Sequence, residues 1–396
     1  MKYNEKMYEL GSKRSVIREI FEYSKIRSAE IGADNVFDFS LGNPSVEPPK
    51  DISKAISELL TLPDQTQLHG YTSAQGDAEV RRVIASDISE RFGVTMSPDL
   101  IYMTCGAAAS LTITLRAIMN EGDECVVFAP FFTEYRVFVE NAGARLVVSH
   151  PMEKTFQIDV DDFEKRINKN TKAVIVNSPN NPSGVVYTEE TLIKVCDLLK
   201  RKSEELGHVI YLISDEPYRE LVYGDTEVPY LMNYYENTFV CYSYSKALSL
   251  PGERIGYIAV SPKMDDAKSL YFAVCGAGRS LGYVCAPSLF QKVIARCAGA
   301  CVDVSVYKEN RDILLENLTR FGYECVRPDG AFYLFVKALE DDAAAFCERA
   351  KKYEILVVPC DDFGVKGYIR ISYCVPKERV EKSLVAFEKL AKEYKI

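Results

Sequence analysis

The stretch Ser243-Tyr-Ser-Lys-Ala-Leu-Ser-Leu-Pro-Gly-Glu-Arg-Ile-Gly256 sets one lysine among hydroxyl groups, ahead of an arginine. An amine that must condense with a carbonyl carbon needs a depressed pKa, which partial burial and neighbouring cations supply. A phosphate group calls for hydroxyl donors and a fixed guanidinium. Lys246, Ser243, Ser245 and Arg254 provide those chemical types, and an ordinary surface turn could use the same residues. In Ser214-Asp-Glu-Pro-Tyr218 a carboxylate follows another apolar run. At the carboxyl end of a strand, where ligands of open α/β sheets sit, Asp215 could face a cationic ring nitrogen; it could equally cap a helix.

Three further segments could bind anions or shape a site. Asn177-Ser-Pro-Asn-Asn-Pro-Ser-Gly184 is a tight turn by its Pro and Gly content. Thr104-Cys-Gly-Ala-Ala-Ala-Ser-Leu111 runs into a helical pattern. Its small residues either open backbone N–H groups at a helix N-terminus to a phosphate or let a helix pack closely on a sheet. In Gly367-Tyr-Ile-Arg-Ile-Ser-Tyr373 an arginine between apolar neighbours must meet solvent or an anion, and a carboxylate matches its geometry best.

These groups need elements to bring them together. From Glu124 onward short apolar runs alternate with longer amphipathic ones, the pattern of an α/β layer structure. The runs 125–128, 146–149, 173–177, 209–214, 239–242 and 255–260 read as buried strands, most of them parallel. Leu192, Val195, Cys196 and Leu199 have helical spacing within 189–205, and Val380, Leu384, Phe387 and Leu390 mark a structural helix near the C-terminus. After about residue 300 the texture changes, with a helical stretch over 307–321 and strand-like segments around Tyr333, Val357 and Ile371. The expected division is a large domain over 46–300 and a smaller α+β domain from 1–45 and 301–396.

The lysine segment resembles the S-x-S-K-x-x-x-x-P-G-x-R-x-G signature of class I/II aminotransferases, the aspartate aminotransferase family of fold type I, with every position filled. The resemblance runs from about residue 15 to the C-terminus. It implies an α/β fold whose large domain has a mostly parallel central sheet flanked by helices, and pyridoxal 5'-phosphate as cofactor. Lys246 would carry that cofactor as an imine, with Ser243, Ser245 and Arg254 on the phosphate. Asp215 and Tyr218 match the family's D-E-x-Y motif, so Asp215 would keep the ring nitrogen protonated and Tyr218 would bond the phenolic oxygen. Asn181, before the proline of N-P-x-G, would bind the same oxygen and border the substrate; the turn's other asparagines read as structural.

Gly106, Ala107 and Ala108 fall at the family's glycine-rich turn, where relatives often carry further glycine or a hydroxyl residue, so phosphate contacts there would come from backbone alone. Phe132 aligns with the aromatic stacked on the ring, and Tyr71 with a tyrosine that reaches the neighbouring subunit's phosphate, Val80 replacing that motif's leucine. Arg370 matches the arginine for the substrate α-carboxylate, and Gly42 the turn packed against it. The implied reaction moves an amino group between an L-amino acid and a 2-oxo acid in a homodimer with shared sites.

Composition narrows the alternatives. With 47% hydrophobic and 27% charged residues the 396-residue chain is globular, and a formal charge of −9 argues against nucleic-acid or anionic-membrane partners. No apolar run reaches the roughly 20 residues that span a bilayer, and the charged stretch 1–18 lacks a signal-peptide core, so a cytoplasmic location is expected. Twelve cysteines without a C-x-x-C pair, and three scattered histidines, give no metal-ligand spacing; most of the cysteines read as reduced core thiols. A β-elimination lyase of the C–S type or a cyclising synthase on the same fold is the main rival. A regulatory module would need an appended domain, for which few residues precede the family region. Gly276-Ala-Gly-Arg-Ser-Leu-Gly282 misses the dinucleotide fingerprint by one residue and lacks a preceding strand. Arg279, as a reader of a distal carboxylate, and Ile17, as an apolar wall, are the hints about substrate.

Overall fold

The computed structural model describes residues 3–12 and 15–395. In chain order its strands are Phe37–Asp38 (β1), Ile101–Thr104 (β2), Glu124–Phe128 (β3), Arg145–Ser149 (β4), Thr171–Asn177 (β5), Tyr211–Glu216 (β6), Thr238–Ser243 (β7) and Gly256–Val260 (β8). Then follow Cys325–Val326 (β9), Tyr333–Lys337 (β10), Ile355–Leu356 (β11), Val358–Pro359 (β12) and Tyr368–Ser372 (β13).

Seven strands form one sheet in the order β2-β8-β7-β6-β5-β3-β4. Strands β3 to β7 pair in parallel, and β8 alone runs against its neighbours β7 and β2. Their near-continuous apolar sequences follow from burial on both faces. In β7, Phe239 and Cys241 pack into one hydrophobic cluster while Val240 and Tyr242 pack into another, the alternation a pleated strand imposes. Each such fully buried large apolar side chain contributes roughly 1.5–3 kcal/mol.

Helices close both faces. Glu189–Leu206 starts where the Thr188 side chain accepts from the Thr191 N–H and stops at left-handed Gly207, so its ends follow from cap chemistry as well as from the apolar stripe. The stretch 276–280 lies inside the helix Ala267–Ser280, where Gly278 lets the Tyr102 ring approach the backbone, so its glycines form no phosphate loop.

A second sheet, β12-β13-β10-β9, is antiparallel, and β1 pairs in parallel with β11, Phe37 opposite Ile355. Phe39 joins Leu314, Leu334, Phe387 and Leu390 in one core, which ties the chain's early segment to the helices Ser305–Arg320 and Lys377–Glu393. Among the described residues no helix is long and apolar enough to cross a membrane. None of the twelve cysteines is in a disulfide.

Candidate active site

The carboxyl ends of the central strands converge on a cavity of about 360 Å³. Register explains the convergence: Asn177 of β5 lies opposite Asp215 of β6, and Ser243 of β7 opposite Gly256 of β8. Lys246, Asp215, Tyr218, Asn181, Arg254 and Arg370 all line this cavity, as do Ser243, Ser245, Phe132, Ala107, Ala108 and Gly42.

Asp215 is 4% exposed. Its Oδ2 accepts from the Tyr135 hydroxyl, and the Asn177 Nδ2 donates to its backbone oxygen at 3.0 Å and more weakly to Oδ2 at 3.4 Å. Oδ1 is buried with no hydrogen-bond partner. Burial pushes the carboxyl up to about 7, against the Tyr135 hydrogen bond and with help from the Glu216 carboxylate. A cation placed against Oδ1 would oppose that shift.

Lys246 sits in the short helix Tyr244–Ala247 just past β7. Ser243 opens that helix: its Oγ accepts from the Ser245 N–H and donates to the Ser245 Oγ at 2.8 Å. The Lys246 Nζ donates to the Gly42 carbonyl at 2.6 Å. Burial lowers its pKa to about 8; the nearby Cys374 works the other way, and the Arg254 and Arg370 cations add to the lowering. An amine so placed has far more of the unprotonated form near neutrality than an ordinary lysine, and that is the form that attacks carbonyl carbon.

Arg254 holds the left-handed backbone at φ 52, a conformation that costs a non-glycine residue energy and persists where the surroundings enforce it. Gly106, at φ 89, makes way for it: a Cβ there would stand 2.8 Å from the Arg254 Nη2. The helix Ala107–Ile118 then begins with no side-chain cap, leaving its first N–H groups for an anion.

Arg370 is 2% exposed and comes from β13. Its Nη1 donates to the Asn181 Oδ1 at 3.1 Å and its Nη2 to the Ser40 carbonyl at 2.6 Å, while Nε is buried without a partner. The Tyr333 ring centroid lies 4.7 Å from its guanidinium. The hydroxyls of Tyr218 and Tyr333 share a hydrogen bond of 2.8 Å, and a side chain at Gly42 would collide with the Tyr333 hydroxyl.

Two residues stand apart. Tyr71 is 93% exposed and does not line the cavity, and Arg279 is exposed on the last turn of its helix, also outside it. Ile17 does border the cavity, beside Arg18. Sequence spacing singles out neither Tyr135 nor Ser40 and makes Asn177 a structural turn residue, yet Tyr135 and Asn177 touch Asp215 and Ser40 touches Arg370. The pairing of Asn177 with Asp215 is a register fact that no single segment displays.

The family model described as "Aminotransferase class I and II" matches residues 34–387. The chain belongs to this family. It is 31% identical over 359 residues to the aspartate aminotransferase of Thermotoga maritima, covering 90% of this chain and 91% of that one. A crystal structure of an amino transferase from Eubacterium rectale superposes with a TM-score of 0.98 at 57% identity, covering 100% of both chains. The aspartate aminotransferase of Thermus thermophilus, crystallised with maleate, gives a TM-score of 0.85 at 27% identity, over 96% of this chain and 97% of that one. The protein is a pyridoxal-phosphate-dependent aminotransferase of fold type I, which moves amino groups between amino acids and 2-oxo acids.

The residues present suit that cofactor. Asp215 Oδ1 is an orphaned buried acceptor, as a protonated ring nitrogen requires; Gly106 leaves room only for backbone beside Arg254; and Lys246 has a lowered pKa. Asp215 also gives a pH prediction for the aminotransferase without cofactor. Its carboxyl binds a proton more tightly folded than unfolded, so its stabilising contribution is full below 3.8 and is lost as pH rises toward about 7. Denaturant titrations of the cofactor-free protein across that window will show stability falling with pH more steeply than in Asp215→Asn; equal slopes would contradict the shift.

Proposed function

We propose that Lys246 is both the covalent anchor of the cofactor and the proton carrier of the transfer, acting in a cavity whose polar walls are assigned as follows. Asp215 opposes the ring nitrogen, and Tyr218 with Asn181 donates to the phenolic oxygen. The orientation of Asn181 supports this: its Oδ1 accepts from Arg370, and among the described residues its Nδ2 has no hydrogen-bond partner. Ser243, Ser245, Arg254 and the N–H groups of Gly106, Ala107 and Ala108 hold the phosphate. Phe132 covers one ring face. Arg370 and Gly42 receive the α-carboxylate of the substrate.

When bound, pyridoxal phosphate supplies an aldehyde carbon that captures amines and a protonated ring into which charge from the substrate α-carbon spreads. The chain's own residues do the rest. Arg370, aligned by Ser40, Asn181 and Tyr333, fixes the amino acid by a charge-assisted pair. With the cofactor bound, the Lys246 Nζ would be the general base that takes up the substrate α-proton and carries it within the cavity. Asp215 holds the ring proton throughout.

The observation that carries this reading is the shared cavity of Lys246, Asp215 and Arg370. It is tested by incubating the loaded enzyme with an amino donor and 2-oxoglutarate. Equimolar glutamate and keto acid support amino transfer by this site, whereas ammonia with pyruvate would mark a lyase. Arg370→Gln is expected to lower kcat/KM by about 10²-fold or more, mainly through KM, because the carboxylate then enters a dry site unpaired. An unchanged KM would remove Arg370 from this role.

We further place the protein in the cytoplasm as a homodimer, with Tyr71 completing the partner's phosphate site. Its exposure supports this, since a large aromatic so open in one chain suits an interface. The division into a large domain, 46–300, and a small one, 1–45 with 301–396, belongs to the same proposal.

A further inference from the structure

The end of β6 and the turn after it are split between two faces, by strand alternation for Ser214, Asp215 and Glu216. Asp215 and Tyr218 line the cavity, whereas Ser214, Glu216 and Arg219 do not. Glu216 is 1% exposed and Arg219 6%, and they form a buried ion pair. Arg219 donates through Nε and Nη2 to both Glu216 oxygens, through Nη1 to the Val228 carbonyl at 2.8 Å, and through Nη2 to the Pro229 carbonyl at 3.1 Å. Ser214 Oγ adds a bond to Glu216 Oε1 at 2.7 Å. The guanidinium also lies 5.1 Å from the Phe92 ring centroid and 5.2 Å from that of Tyr230.

Buried ion pairs are poor stabilisers, because desolvation offsets most of their attraction. The position of this one suggests another use. Glu216 adjoins Asp215, and two buried carboxylates so close act together on any cation nearby. Among the described residues no other cation forms an ion pair with Glu216. Among the described residues the titratable or polar groups against Asp215 are Tyr135, Asn177, Tyr218 and Cys241, and around the ion pair burial keeps Tyr230 neutral while Glu220 is paired with Arg91.

We propose that Arg219 is a positioning residue for amino transfer: by holding and neutralising Glu216 it leaves Asp215 as the one uncompensated anion at the ring nitrogen and pins the turn that carries Tyr218. This rests on the reading that Asp215 faces that nitrogen.

The test uses the loaded enzyme and the pH midpoint of the visible absorbance of its lysine-bound cofactor. Arg219→Met keeps bulk and removes the cation, so Glu216 becomes a second anion that favours the protonated form. The midpoint should rise by about one pH unit, a tenfold change in proton affinity. In the double variant Glu216→Gln, Arg219→Met it should return close to the wild-type value even if the melting temperature stays low. A merely structural pair would move the melting temperature and leave the midpoint alone, which overturns the proposal. Should Arg219→Met fail to fold, Glu216→Gln alone must lower the midpoint, and a fixed midpoint there also overturns it. Asp215→Asn separates the two readings. If it leaves the midpoint unmoved, the Asp215 assignment fails; if it lowers the midpoint while the Arg219 and Glu216 variants do nothing, only the present inference fails.

Discussion

Lys246→Ala should cost more than about 10⁴-fold in turnover, since the two roles proposed for Lys246, covalent anchor and general base, are lost together. The variant should nevertheless fold. In the protein the amine makes one hydrogen bond, to the Gly42 carbonyl, and its lowered pKa reports that burying it is unfavourable. Removing the amine with its stem relieves the desolvation, opens space onto the existing cavity and leaves the Ser243 cap and the Arg254 cradle untouched. Melting of the cofactor-free variant is therefore expected at or above the wild-type temperature, with the visible band of lysine-bound cofactor missing from the loaded form. A small primary amine added in solution should restore part of the proton transfer, because the deleted chain leaves space beside the cavity. Undiminished turnover in Lys246→Ala would refute the assignment outright.

Asp215→Asn should have the next largest effect. The amide keeps the shape and the contacts with Tyr135 and Asn177 but cannot hold a cationic nitrogen. Removing one preorganised charge from a dry site typically costs 10²–10³-fold, so kcat is expected to fall by about that much while KM for the amino acid changes little. A loss confined to KM would assign Asp215 to substrate binding. Single-turnover rates for the first half-reaction give the cleanest measurement, since product release cannot mask the chemical step.

The central strands were legible because parallel strands covered on both faces need apolar residues at every position, and Cys125, Val126, Val127 and Val174 to Val176 satisfy that need without ambiguity. The direction of β8 was not legible. An antiparallel strand in the middle of such a sheet has the same apolar content, and only its partners reveal it. The cavity residues could be named from their motifs, yet their supporting contacts could not. Tyr135 reads as one more aromatic at the start of a helix, and its bond to Asp215 depends on how that helix crosses the sheet. Nothing in the spacing of Glu216 and Arg219 marks them as a buried pair, because the stacked rings of Phe92 and Tyr230 beside the guanidinium come from distant segments. Long-range packing decides such cases, and local spacing carries no trace of it.

The pairing of β1 with β11, and of Ser40 with Arg370 across 330 positions of sequence, sets a timetable for biogenesis. As the polypeptide leaves the ribosome, the lysine turn and its sheet emerge with all their strands while Arg370, the group proposed to receive the substrate carboxylate, is still unmade. The nascent chain can thus acquire a folded body before this part of the cavity wall exists, and the wall is completed only when its last strands come back to meet its first.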